Sequence, residues 1–262
     1  MTMPEATKNS HYIARHLTRP WEFSERGRDR HLWYFDFDAD SFGSMSSRSL
    51  HTTTAPWSQA LELFLNKHLE SPLSNFLSRF NADRTTEPSE IELRAMKLSV
   101  LLQAKRSKGT AEELVGLGER YLDELLVAAD HVNEFVRVPL RAERLFFPDH
   151  GVIIIPLAAA SPAVAVALHP SYLVAAVPRP AGLFLRQIDA LRQDEENITS
   201  LSGGFEKCRR LVIPGSSRGR NSEAAMRSYI LGHRRRAVLI ARVFAEQNTA
   251  AFGSAFPGVR AR

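Results

Sequence analysis

The chain predicts an α+β fold, and three patterns in its 262 residues carry that reading. An aromatic stretch near the N-terminus alternates as a strand does. From Trp57 to about Asp130, apolar residues recur at helical spacing. Between about 134 and 178, short apolar runs are each bounded by Pro, Gly, Asp or His. The expected layout is an N-terminal β-hairpin, a central helical block, an apolar β-sheet and a long C-terminal helix. It reads as one α+β unit over 11–247, with a disordered N-terminus (1–10) and a flexible tail (248–262).

The elements follow in order. Residues 31–40, HLWYFDFDAD, interleave Leu32, Tyr34 and Phe37 with Trp33, Phe35 and acids, and the aromatics favour a strand. SFGSMSSRSL supplies turn residues, so the hairpin's second strand is expected after it. Trp57, Leu61, Phe64, Leu65 and Leu69 share a helical face. Ser71-Pro72 then opens a second helix carrying Phe76, Leu77 and Phe80 inward. Pro88-Ser89 opens a third, ending near Lys105. Thr110 with Glu113 forms a capping box for a fourth, to about Asp130. FVRVPL, ERLFF, VIIIPL, AVAVAL and YLVAAV read as strands. Residues 181–193 read as a short helix, ENITSLSGGFEKC as a further helical turn, RRLVIP as a strand and PGSSRGRN as a loop. Ser222 opens the last helix, to about Gln247.

Residues 150–178 hold no Asp, Glu, Lys or Arg, a length that meets the rule for a membrane span. Pro156, Pro162 and Pro170 would break such a helix three times, and Ser161, His169 and Ser171 add polar groups. Buried strands fit better, so no membrane association is expected. No apolar leader follows Met1, and the single cysteine, Cys208, excludes an intramolecular disulfide or a multi-thiolate zinc site. The expected setting is a reducing cytoplasm.

Charge is uneven. Residues 1–55 are neutral, 56–200 carry −4 and 201–262 carry +9, mostly as arginine. Guanidinium presents paired donors that match two oxygens of a phosphate. Arg209, Arg210, Arg234, Arg235 and Arg236 are therefore the candidate nucleic-acid-binding residues. A solvated basic face is the plainer account of the same residues.

There is no glycine-rich phosphate loop, no GxSxG, no HExxH and no EF-hand loop. Three local groups hold chemically useful side chains. His11-Tyr12 lies near Arg15 and His16, and an imidazole can serve as general acid or base. Gln103, Lys105 and Arg106 lie at a helix C-terminus. Asp149-His150-Gly151 separates two apolar runs. Each has a structural alternative: an aromatic corner, a dipole-complementing helix end and a simple turn. Glu62 and Glu70 are spaced glutamates on the first helix.

The order of these motifs resembles a bacterial family labelled domain of unknown function 4238. Its opening His-Tyr-Val/Ile-Pro motif corresponds to His11, Tyr12 and Ile13, with Ala14 where proline is usual. Its aromatic strand corresponds to LWYFD and its spaced glutamates to Glu62 and Glu70. Its Gln-x-x-Arg-Ser/Thr helix end corresponds to Gln103, Arg106 and Ser107. Asp149, then Pro156-Leu157, then Asn197 complete the order, over residues 11–215. The resemblance implies no particular activity.

Two function classes remain. One is an enzyme acting on nucleic acid, a nuclease or other phosphodiester hydrolase of defence or toxin type. His11, Glu70, Gln103, Arg106 and Asp149 would be its catalytic candidates and a divalent metal its candidate cofactor. The other is a non-catalytic binding or interaction module that uses the basic C-terminal segment. Whether the chain is an enzyme, and its oligomeric state, are open at the level of sequence.

Overall fold

A computed structural model describes residues 10–11, 15–25, 29–46, 52–53, 59–105, 111–141, 143, 145–149, 151–157, 160–193, 208–218 and 222–248. The chain is α+β. It opens with β1 (Ser10–His11), α1 (Arg15–Thr18) and a 3-10 turn (Arg19–Trp21). Then come β2 (Glu22–Glu25), β3 (Asp29–Asp36), β4 (Ser41–Ser46) and β5 (Thr52–Thr53). The helical block is α2 (Gln59–Leu65), a π-helical turn (Asn66–Glu70), α3 (Ser71–Ala82), α4 (Glu90–Lys105) and α5 (Ala111–Val132). Strands β6 (Asn133–Pro139), β7 (Phe147–Pro148), β8 (Ile153–Leu157), β9 (Ala160–His169) and β10 (Tyr172–Pro178) follow. The chain closes with α6 (Gly182–Gln193), β11 (Arg210–Ile213), a 3-10 turn (Gly215–Ser217) and α7 (Glu223–Asn248).

Within the uncharged run of 150–178 the described residues form β8, β9 and β10, with Pro156 and Pro162 inside strands and Pro170 in the turn between the last two. Their sheet is antiparallel, in the order β6-β10-β9-β8. Residues 162–177 are buried without exception, so strands β9 and β10 are covered on both faces. Helix α4 lies against β9 and β10. It starts on a capping box: the Ser89 amide donates to Glu92 Oε2 at 2.7 Å, and the Glu92 amide donates to Ser89 Oγ at 3.4 Å. No helix of the described residues is long and apolar enough to cross a membrane.

A second sheet runs β2-β3-β11-β7, with β4 also paired to β3. The predicted hairpin is here, but its turn falls earlier than the serine-rich stretch suggests. The tip is Phe37–Asp40, and SFGSMS is itself the second strand. The acids make this turn. Asp36 Oδ1 accepts the Asp38 and Ala39 amides at 3.0 and 3.1 Å, and Asp40 takes the left-handed conformation (φ 50°). ERLFF likewise contributes only Phe147 to a strand, paired with Val212.

Two expected helix boundaries also differ. Helices α2 and α3 run on through the π turn, where the Ser71 amide donates five residues back to the Asn66 carbonyl, and Pro72 falls in the first turn of α3. Within α5, Gly118 leaves helical geometry (φ 70°, ψ −171°), which only glycine adopts cheaply. Residues 1–9, 194–207 and 249–262 lie outside the described residues, and with them the expected turn at ENITSLSGGFE, Asn197, and both termini apart from Ser10 and Asn248.

The second sheet is apolar on both sides. Leu32, Phe147 and Val212 join the main core, while Trp33, Phe35, Phe146, Leu211 and Ile213 form a second cluster with Cys208 and with Met226 and Ile230 of α7. Trp21 joins the sheets, its ring 5.1 Å from Phe147 and its indole N–H donating to the Leu145 carbonyl at 2.8 Å.

Candidate functional site

The tip of the β3–β4 hairpin gathers basic side chains from far along the chain. Arg210 Nε lies 3.0 Å from Asp36 Oδ2, and Arg209 Nε lies 2.7 Å from Asp38 Oδ2. Arg227 of α7 grips both oxygens of Asp40. Arg234, two turns further along α7, stacks 3.8 Å above the Phe37 ring. Arg210 also lies over the Tyr34 ring, at 5.5 Å. Burial pushes the Asp36 carboxyl up, but the Arg210 guanidinium and the Ala39 and Asp38 amides together hold it below the usual range. The Arg227 guanidinium lowers Asp40 in the same way.

Asp149 stands at the base of this corner. Its Oδ2 accepts the amides of Arg209 and Arg210 at 3.1 and 3.0 Å, which ties the end of β7 to the start of β11. Cys208 is fully buried beside it and donates to the Arg210 carbonyl. Burial, then the Asp149 charge, pushes this thiol well above its ordinary range. Gly151, two residues beyond Asp149, adopts φ +73°, and a Cβ there would fall 2.6 Å from Gln103 Nε2. The buried end of α4 therefore meets the Asp149 turn.

Of the predicted residues, the structure gathers Asp149, Arg209, Arg210 and Arg234 at this corner, and Gln103 lies against Gly151 beside it. Glu70 ends the π turn, which packs on the helix that carries Gln103. Arg235 is exposed on α7. The backbone of His11 pairs with Thr52. Arg106 and the side chains of His11 and Arg236 lie outside the described residues. Among the described residues, no group of three or more His, Cys, Asp or Glu is placed to hold a metal ion.

No family model matches the chain, and no curated protein or solved structure matches it. The functional reading therefore rests on the geometry alone.

A second constellation was not legible in the sequence. Arg84 follows α3 in a turn fixed by Asp83, whose Oδ1 accepts the Thr85 amide at 2.9 Å. Arg84 Nη1 donates to Ser171 Oγ at 3.0 Å and lies 3.0 Å from His169 Nδ1, while Nη2 reaches Glu143 at 3.0 Å. The Ser171 amide also donates to His169 Nδ1, at 3.0 Å, so that nitrogen carries no proton. Burial, reinforced by the Arg84 charge, lowers the imidazole to about 3. His169 is therefore neutral near pH 7 and cannot shuttle protons there; it holds Arg84 in place.

Beside Arg84 opens a pocket of about 530 Å³, lined by Arg84, Glu87, Phe135, Arg137, Tyr172 and Leu185 among others. Arg137 bonds Glu87 at 2.5 Å and also the Tyr172 hydroxyl. Burial raises Tyr172, so its hydroxyl keeps its proton. One signal for this site was present: a histidine and a serine inside an uncharged buried run must find hydrogen-bond partners.

Proposed function

We propose that the chain is a nucleic-acid-binding module whose contact surface is the arginine-ringed hairpin tip. The observation that carries this reading is the convergence of Arg209, Arg210, Arg227 and Arg234 on residues 36–40. Four guanidiniums there meet three carboxylates. The Arg209–Asp38 pair is about two-thirds exposed on each side, and such pairs contribute about 0–1 kcal/mol, so a phosphate can replace Asp38 at little cost. Tyr34 and Phe37 add aromatic faces beside the cations, a combination suited to single strands, whose bases stack on such rings.

The test is fluorescence anisotropy with labelled single- and double-stranded oligonucleotides across a salt series. Single strands are expected to bind more tightly, with log affinity falling by about 0.7–0.9 per neutralised phosphate for each log unit of salt. Replacing Arg209 and Arg234 together by Gln should lower that slope by about one to two. Absence of binding at low salt would overturn the reading.

A second reading, phosphodiester hydrolysis, is favoured by one observation. Gln103 Nε2 lies against Gly151, two residues beyond Asp149, at the base of the same corner. Cleavage of the same oligonucleotides, with and without added magnesium, distinguishes the two. Cleavage that Asp149→Asn abolishes without unfolding the chain would make the module an enzyme.

A further inference from the structure

We propose that the pocket between Arg84 and Arg137 binds a small molecule bearing an oxyanion, a carboxylate or a phosphate, on an apolar body. This site is separate from the hairpin tip and does not depend on the nucleic-acid reading.

The argument starts with how Arg84 is held. A guanidinium on a surface turn ordinarily samples many rotamers. Here it is fixed by Ser171 and His169, each about 3% exposed or less, and its plane is backed by the Phe80 ring at 4.9 Å. The neutral imidazole suits this task, because a protonated one would repel the arginine. Buried polar groups committed to orienting one cation are how a binding site is preorganised. A cross-link between the Arg84 turn and the β9–β10 turn would explain the hydrogen bonds, but it leaves the neighbouring 530 Å³ pocket unexplained.

The pocket's chemistry then sets the ligand class. Its cations are Arg84 and Arg137, set against the acids Glu87 and Glu134, and Tyr172 adds a hydroxyl that stays protonated. Paired guanidinium donors match the two oxygens of a carboxylate or phosphate. Phe135, Val136, Pro139 and Leu185 supply its apolar lining, and Leu185 is 42% exposed although it is apolar. An apolar body seated there would cover it. The volume lies within the usual range of about 300–1,000 Å³ for small-molecule sites. Glu87 now holds Arg137, but its side chain is 78% exposed, so a ligand oxyanion can take its place.

Isothermal titration of the full chain with phenyl phosphate, benzoate and inorganic phosphate tests this. Phenyl phosphate or benzoate should bind, and whichever is preferred identifies the headgroup. Arg137→Gln should weaken that binding about tenfold or more. Glu87→Gln removes the internal competitor and should tighten it by up to about fivefold. Both positions are solvent-accessible, and unchanged thermal unfolding without ligand confirms that the variants fold. Arg209→Gln, at the hairpin tip, should change nothing. Failure of all three probes to bind at millimolar concentration would overturn the proposal. So would binding indifferent to both variants, or inorganic phosphate binding as tightly as phenyl phosphate.

Discussion

Asp149 and Arg210 hold each other twice. The Asp149 amide donates to the Arg210 carbonyl at 3.0 Å, and the Arg210 amide donates back to Asp149 Oδ2 at the same distance. Strand β7 is only two residues long, and this reciprocal pair extends its grip on β11.

Asp149→Ala should therefore lower stability by about 1–3 kcal/mol, since two backbone amides lose their acceptor. Asp149→Asn keeps an acceptor oxygen and should lose less. Urea unfolding of the two variants checks the order. Equal losses would show that the carboxylate oxygen is not what joins the strands.

Gly151→Ala should destabilise by about 1–3 kcal/mol, combining the cost of a side chain at positive φ with crowding against Gln103. Shortening the neighbour should recover the crowding part only. A double-mutant cycle with Gln103→Ala measures it, and coupling near zero would mean that the two groups do not press on each other.

His169 makes stability pH-dependent. Its folded value of about 3 lies below the unfolded 6.5, so the unfolded chain binds the proton more readily. The contribution is whole above about pH 6.5 and is lost as pH falls toward 3, at up to about 1.4 kcal/mol per unit. His169→Gln should flatten that part of the stability profile in urea titrations at stepped pH.

Cys208 should resist thiol reagents in the native state. It is buried and its thiol is pushed up, while the thiolate is the reactive form. Reaction with a chromogenic disulfide at pH 8 should be slow in buffer and complete in denaturant. Fast native labelling would contradict the burial.

What the sequence made legible was local. The apolar runs at 153–157, 163–168 and 172–177 each became a strand, although Pro156 and Pro162 lie inside strands and not between them. Pro88-Ser89 stands at the start of α4, as expected, with Ser89 as its cap. Pairings between distant segments left no local trace. Strand β11 joins β3 across some 175 positions, and Arg84 meets His169 across 85. The arginines at 209 and 210 read as a basic patch, but the aspartates that receive them were read only as the polar positions of a strand. A charge pattern along the chain does not say which opposite charges fold against it.

The second sheet separates two dry compartments, and this changes what fixes its alignment. In a sheet with one wet face, a one-residue slip is forbidden because it turns apolar side chains into water. Here a slip of β3 would only exchange Leu32 and Tyr34 for Trp33 and Phe35, apolar or aromatic on either side. Polarity discriminates weakly between the two alignments. Size does so more strongly, because the space under α7 is shaped around Trp33 and Phe35 of β3, and a slip would put Leu32 and Tyr34 there instead. The Asp36–Arg210 pair at the strand's end adds a marker that a slipped strand could not satisfy. Fidelity of strand pairing in this protein is thus a matter of shape and of one terminal charge pair, and enlarging Leu32 should threaten it more than any surface substitution.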